Sequence, residues 1–501
     1  MAGVINYGRL DDYLGPYLVA DLKSGRLTDE EAYRYIHSLW TMIENRRTTV
    51  NGRIIVGGKG RKHPKEADVF LHIAMKVAKN CRYVEPQFTL RFDKDTSEEI
   101  WDEALDALGA GATYPTLYND DVNVPAVMYG MRVDEKAAEQ YVPFGCTEFV
   151  IQGQSTGTPN ICINLLKLLT IYMNDGIDPI DGKRKSGPVP LKKLEEYQTF
   201  EEFYDGYKAL LDYYLDLSVK AQYHSYEVMN QHVSFLFTSL LTDDCIARGK
   251  ALLDGGVRYL GGTNETYGNI NTSDSLWVIR DLVFNQKKYT LRQLNDAMLA
   301  NFNGYEALRK DCLNCDKYGN DLETADTMAN DLYEFVAKGV RDRGIAIGMQ
   351  YFLIVISNNQ LNTEWGNRTA ASPDGRLSYM YMNPANNPQG GANKSGPTAM
   401  LNSLAKFDAK YHGGSVQNIK FSPSMFNENR AVIKSLFKTY FAKGGCHLMV
   451  TVVDKGVLED AVEHPENYPD LIVRVSGFSA VFVDLSPNIQ QELLSRVLYD
   501  E

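Results

Sequence analysis

Apolar and polar positions alternate between two periods along the chain. Thr28-Asp29-Glu30-Glu31 has the form of a capping box. Ala32, Tyr35, Ile36, Leu39, Trp40 and Ile43 follow at helical spacing, which predicts a core-facing helix. Phe88, Leu90 and Phe92 alternate with Gln87, Thr89 and Arg91, the pattern of a half-buried strand. A helix is expected near Glu98–Leu108, and a loop at a strand end over Tyr118-Asn119-Asp120-Asp121. Ile161–Tyr172 is apolar and reads as helix, ended by Asp175-Gly176-Ile177-Asp178-Pro179. Tyr197–Leu217 predicts a Tyr-rich amphipathic helix, its tyrosines packed in the core. Near the C-terminus a strand is expected over Leu448–Val453. Ser486-Pro487 then opens a last helix with Ile489, Leu493, Leu494 and Val497 on one face. Strand and helix signals alternate throughout without internal repeats, which predicts an α/β fold.

Composition narrows the class. The 501 residues carry a formal net charge of −12, with 44% hydrophobic and 23% charged residues, as expected of a soluble globular protein. The length allows two to four domains, although α/β barrels run long as single units. The acidic balance argues against nucleic acid or an anionic membrane as partner. Met1–Tyr7 lacks a basic segment and an apolar core, so no secretory leader is expected there. The longest apolar run, around Ile345–Ile356, is too short to span a bilayer. Seven scattered cysteines do not form a disulfide framework, and a reducing cytoplasm is the expected compartment.

Three stretches tempt a ligand reading and fall short. Gly57–Lys65 is basic and glycine-rich but lacks the Lys-Ser/Thr of a phosphate loop, so a solvated loop is expected. Gly261–Asn269 lacks the same lysine and reads as a turn ahead of a helix from Ser273. Cys312-Leu313-Asn314-Cys315 has no second Cys or His pair near it, and the eight histidines show no ligand spacing; no metal site is expected.

Two stretches carry chemistry. In Ile472-Val473-Arg474-Val475-Ser476-Gly477-Phe478-Ser479-Ala480, one glycine stands between two apolar runs. On the glycine alone, a bulge or a close backbone approach is the expected meaning. In Val142-Pro143-Phe144-Gly145-Cys146-Thr147-Glu148, a cysteine sits in an apolar setting, where inert packing is the ordinary expectation. Together the two stretches resemble the glycyl radical enzymes. An Arg upstream and an aromatic just after frame the radical glycine there; Phe478 stands where most members carry Tyr. Gly-Cys-x-Glu resembles the subgroup of dehydratases, C–N and C–S lyases and arylacetate decarboxylases. The opening of the family's C-terminal domain is resembled by Thr369–Arg376 and Gly396–Ala399, and Asn418–Pro423 follows as it does there.

The resemblance implies a ten-stranded α/β barrel of two half-sheets surrounded by helices. It implies a catalytic domain over residues 1–366 and a glycine radical domain over 367–501. Gly477 would store the radical, Cys146 become the thiyl and Glu148 move a proton. Arg474, Ser476 and Phe478 would support the radical loop. Asn119, Asp120, Thr147 and Asn160 would border a substrate pocket. No bound cofactor is implied. A radical S-adenosylmethionine activase with an iron–sulfur cluster would install the radical anaerobically, the substrate would be a small organic molecule, and the oligomer a homodimer. The chain resembles the later part of the family's sequence, so a shortened form or a missing portion supplied by another chain is expected. Pyruvate formate-lyase uses adjacent cysteines; Thr147 in the second place disfavours that acyl transfer. The competing expectations are a glycyl radical lyase, a formate C-acetyltransferase-like enzyme, and an incomplete, non-catalytic chain that needs a partner subunit. Dehydratases often have Pro after the Glu, where this chain has Phe149, and the Gln152–Asn160 loop also departs from them, so the substrate does not follow from the resemblance.

Overall fold

The structure, a computed structural model, describes residues 3–46, 49–157, 160–356 and 360–500. The chain divides into two compact units, Met1–Gly157 with Asp408–Glu501, and Thr158–Phe407. In chain order the first unit holds β1 (Gly3–Arg9), β2 (Thr49–Gly57), β3 (Gln87–Phe92), β4 (Thr116–Asn119), β5 (Tyr141–Phe144) and β6 (Glu148–Ile151). The second unit holds β7 (Asn160–Asn164), β8 (Gly261–Tyr267) and β9 (Tyr351–Ile356). The chain then returns to the first unit for β10 (His412–Ser415), β11 (Asn418–Phe421), β12 (His447–Val452), β13 (Ile472–Arg474), β14 (Ser479–Val481) and β15 (Leu498–Tyr499).

The first unit is built on a seven-stranded sheet of order β1-β2-β3-β4-β12-β11-β15. Neighbours run parallel except where β12 meets β4. Ile54, Ile55 and Val56 of β2 and Phe88 and Leu90 of β3 are buried against helices. The helix Asp29–Asn45 begins on a complete Thr28–Glu31 capping box and buries Ala32, Ile36, Trp40 and Ile43. Tyr35, expected on that face, is instead 67% exposed. The expected half-buried strand is buried at all six positions of β3. Its polar residues face inward and bond other chain segments, so alternation here marks two different interiors rather than core and solvent. Fully covered sheets of this kind, wrapped by helices, make a mixed α/β fold.

Asn119 and Asp120 do not form a loop. Asn119 ends β4 and caps the helix Asp120–Met131, accepting from the Asp121 N–H. Its amide also donates to the carbonyls of Phe441 and Gly445 at 3.1 and 2.9 Å. Asp120 is fully buried and takes a two-pronged contact from Arg91, at 2.9 and 2.8 Å. It also accepts from the Tyr141 hydroxyl at 2.8 Å and the Lys59 N–H at 2.7 Å. The glycine-rich loop after β2 thus wraps a carboxylate of its own chain. Arg91 in turn donates to the Tyr141 carbonyl at 2.8 Å, tying the sheet to β5. Removing one member of a buried ion pair strands the other charge. Asp120→Ala is therefore expected to lower unfolding stability by about 3–5 kcal/mol. A urea midpoint within error of wild type would show that the pair does not hold this frame.

The second unit carries β7, β8 and β9 as parallel neighbours. β9 is an apolar run buried at every position. Two stretches differ from expectation. Ile161–Asn164 belongs to β7, and the helix starts only at Leu165. Gly261–Tyr267 is a strand rather than a turn, buried at all seven positions. Inside, the Asn264 amide donates to Ser218 at 2.6 Å and Tyr267 to Glu265. The Tyr-rich helix extends over Phe200–His232, with Tyr207 donating to the Leu165 carbonyl at 2.9 Å. Among the described residues, no helix is long and apolar enough to cross a membrane.

Candidate active site

Two hairpins of the first unit meet at their tips. β13 and β14 pair antiparallel, Arg474 opposite Ser479, and the Val475 N–H donates to the Phe478 carbonyl at 3.0 Å. The tight loop between them carries Ser476 and Gly477, both buried. Gly477 has φ +75°, a conformation glycine adopts without the clash a Cβ would bring. β5 and β6 form the second hairpin, Phe144 opposite Glu148, with Gly145-Cys146-Thr147 as its turn.

The tips are in close contact. A Cβ placed on Gly477 would lie 2.5 Å from Cys146 Cβ, 2.8 Å from Cys146 Cα and 2.8 Å from Cys146 Sγ. One Cα hydrogen of Gly477 therefore points at the Cys146 side chain, which is itself 2% exposed. Removing a Cα hydrogen leaves a planar radical shared with the flanking amide nitrogen and carbonyl, and only a residue without Cβ flattens here unhindered.

Glu148 folds back over the turn. Its Oε2 accepts the Thr147 N–H at 2.9 Å. The carboxylate fills the space a Cβ on Gly145 would take, 2.8 and 3.0 Å from its two oxygens, and Gly145 has φ +55°. Thr147 is buried behind Cys146, its carbonyl pressed against Gly414 of β10. Its hydroxyl has no hydrogen-bond partner among the described residues.

The surroundings are dry and polar by turns. Burial pushes the Tyr118 hydroxyl up to about 12 and the His412 imidazole down to about 4. His447, against the Tyr118 ring at 4.5 Å, is held neutral by burial and by nearby Arg474 and Arg53. Such an interior keeps solvent and oxygen from an organic radical.

Of the loop-support residues, Arg474 is buried and donates to Ser479 Oγ at 3.1 Å, to Met449 Sδ at 3.1 Å and to Gln87 Oε1 at 3.1 Å. Burial lowers its pKa from the usual guanidinium value. The Ser476 hydroxyl is buried without a hydrogen-bond partner among the described residues. Phe478 packs on a cluster that includes Val473, Val475, Phe482 and Leu493.

Three side chains escaped sequence reasoning. Arg496 donates to the Val475 carbonyl at 2.6 Å and pairs with Glu492 at 2.7 Å. Arg53 donates to the Gly145 carbonyl at 2.9 Å. Gln87 receives Arg53 at 3.3 Å as well as Arg474. The inward alternation of Gln87, Thr89 and Arg91 was the available signal. Asn119 and Asp120 belong to the buried frame described above, and the Asn160 side chain, with Thr158 and Pro159, lies outside the described residues. Among the described residues, metal-ligand groups converge only at His72, Glu99 and Glu103, where His72 and Glu103 are 2.8 Å apart; Cys312 and Cys315 are not among them.

Comparison with known proteins identifies the family. A sequence profile of the family described as pyruvate formate lyase-like matches residues 2–361, and one described as glycine radical matches residues 382–483. The chain is 29% identical over 506 residues to a trans-4-hydroxy-L-proline dehydratase from Clostridioides difficile, covering 98% of this chain and 64% of that protein. It is 26% identical over 524 residues to an isethionate sulfite-lyase from Oleidesulfovibrio alaskensis, covering 99% and 62%. Among solved structures, the glycerol-bound B12-independent glycerol dehydratase from Clostridium butyricum matches with a TM-score of 0.89 and 28% identity, over 99% of this chain and 64% of that one. The chain thus spans less than two thirds of the length of these relatives. With a thiol and a hydrogen-bearing glycine packed tip to tip on this frame, the chain belongs to the pyruvate formate lyase-like family of glycyl radical enzymes.

Proposed function

We propose that the protein is a glycyl radical lyase, expelling water, an amine, sulfite or carbon dioxide from a small organic substrate. The observation that carries this reading is the contact between Gly477 and Cys146. The Gly477 radical takes the hydrogen atom of the Cys146 thiol, leaving a thiyl radical. The thiyl takes a hydrogen atom from a substrate carbon. Glu148 exchanges a proton with the group beside that carbon; water, an amine or sulfite leaves with its bonding electrons, whereas carbon dioxide leaves without them and the carbon that keeps them is protonated. The product radical recovers the hydrogen from Cys146, and the thiyl recovers one from Gly477. A radical S-adenosylmethionine activase installs the radical in the first place, in an anaerobic cytoplasm, and the working oligomer is a homodimer. The catalytic portion runs over residues 1–366 and the glycine radical domain over 367–501.

Elimination is favoured over acyl transfer because Thr147 replaces the second thiol that pyruvate cleavage needs. The relatives named as a hydroxyproline dehydratase, a glycerol dehydratase and an isethionate sulfite-lyase point to substrates with a leaving group beside a C–H bond. Thr147 and Asn160 remain the proposed border of the pocket, with Asn119 and Asp120 proposed to shape it from the buried frame behind.

The test is consumption of trans-4-hydroxy-L-proline, glycerol, propane-1,2-diol, isethionate, a vicinal amino alcohol or 4-hydroxyphenylacetate by the activated protein, followed by mass spectrometry. Glu148→Gln keeps an oxygen to accept the Thr147 N–H but holds its proton fixed. Its turnover on the accepted substrate is expected to drop by about 10²–10⁴-fold with the radical yield unchanged. Unchanged turnover would remove Glu148 from the mechanism. Full radical occupancy with none of these classes consumed would overturn the lyase reading.

A further inference from the structure

We propose that Gln87 is the positioning residue that sets the separation of Cys146 and Gly477; this rests on the radical relay just described. Gln87 sits at the start of β3, fully buried, some distance in sequence from both hairpins. Its Oε1 accepts from Arg474 at 3.1 Å and from Arg53 at 3.3 Å. Arg474 is the residue from which the radical loop departs, and it is also pinned to Ser479 across the hairpin. Arg53 reaches the other way, to the Gly145 carbonyl at 2.9 Å, with the Cys146 carbonyl at 3.5 Å. Its second nitrogen is held by Thr89 at 2.8 Å. One amide oxygen on a sheet strand is therefore the shared anchor of both loops.

The chemistry of the step explains why such an anchor matters. Hydrogen-atom exchange between glycine and thiol moves no net charge, so the site needs a fixed distance rather than a strong field. The tips meet at the glycine and the cysteine, and hairpin tips are soft. Two long guanidinium side chains have many rotamers, and a shared acceptor removes that freedom at both ends. A neutral amide does this without becoming a further charge in a buried site. A misplacement of about 1 Å costs on the order of 10²-fold in a step of this kind.

The relay has a readout independent of substrate. A thiol proton exchanges with solvent, so reversible transfer through Cys146 carries deuterium from D₂O onto Gly477. The doublet in the electron paramagnetic resonance spectrum then collapses to a singlet, at a rate counted per radical. Gln87→Met preserves shape and replaces the amide oxygen by a thioether sulfur, a weak acceptor; Gln87→Glu restores an oxygen acceptor. The activated full chain is expected to show collapse slowed at least about 30-fold in Gln87→Met, and within about threefold of wild type in Gln87→Glu. A merely structural role would lower the amount of radical and leave this rate alone. Collapse in Gln87→Met at the wild-type rate overturns the proposal. If Gln87→Met takes up no radical, Gln87→Asn, one methylene shorter, is read in the same way, and a wild-type rate there overturns it too. A wild-type doublet that persists unchanged in D₂O overturns the Cys146 relay and the anchor with it; wild-type collapse matched by Gln87→Met overturns the anchor alone.

Discussion

Gly477→Ala is expected to abolish both the glycyl radical and turnover, and to destabilise the first unit. The new methyl carbon would stand 2.5 Å from Cys146 Cβ and 2.8 Å from its Cα. The second of these is a backbone atom, so no rotamer change relieves the clash and the two hairpin tips must separate. The backbone conformation adds its own cost, since φ +75° is left-handed and disfavours a Cβ by about 1–2 kcal/mol. Together these place the expected loss of stability at about 2–4 kcal/mol. Gly25→Ala separates the two contributions. Gly25 has φ +72° but open space where its Cβ would go, so only the backbone cost of about 1–2 kcal/mol applies. Urea midpoints of the two variants measure the difference. Equal losses would show that the tips are not in contact in solution, and a glycyl doublet in Gly477→Ala would place the radical on another residue.

Cys146→Ser is expected to keep the radical and lose turnover. Serine is nearly isosteric, and the contacts made by the Gly145 carbonyl, the Thr147 N–H and the Glu148 carboxylate are left in place by the substitution. The fold and the Gly477 loop should therefore persist, and installation of the radical with them. What changes is the bond that must be broken. An O–H bond is far stronger than an S–H bond, so the glycyl radical no longer draws a hydrogen atom from this position. Each 1.36 kcal/mol added to the rate-limiting barrier is a factor of ten, and turnover is expected to fall by about 10⁴-fold or more. The same variant should show no doublet collapse in D₂O. Turnover near the wild-type level, measured per radical, would remove Cys146 from the reaction path.

The chemistry-bearing loops were legible because their residue types are constrained by what they do. A glycine between two apolar runs predicts a bulge or a close backbone approach; the runs contain β13 and β14, a hairpin, and the glycine in the loop between them lies close against Cys146. The pairing of that glycine with Cys146 came from the resemblance, since nothing local in the sequence joins positions 331 residues apart. The supporting frame was less legible. Gln87, Thr89 and Arg91 alternate with apolar neighbours as a surface strand does, yet β3 is buried on both faces. A single-sequence pattern does not separate a polar face turned to water from one turned to buried guanidiniums. Gly261–Tyr267 misled for a related reason. Its two glycines and Asn264 are turn residues by composition, and the Ser218 hydroxyl that the Asn264 amide meets lies on another element. Asp120 reads as a polar loop residue beside a pocket, while its partners Arg91 and Tyr141 lie on other elements and are visible only in three dimensions.

The measurement closest to the central claim is electron paramagnetic resonance of the protein after anaerobic treatment with a radical S-adenosylmethionine activase, S-adenosylmethionine and a reductant. Protein made with ordinary glycine should give a doublet, from the one hydrogen left on the Gly477 Cα. Protein made with glycine deuterated at Cα should give a singlet at the same field, and Gly477→Ala should give no signal. A spectrum whose splitting ignores the glycine label, or a doublet that survives in Gly477→Ala, would contradict the assignment of the radical to Gly477.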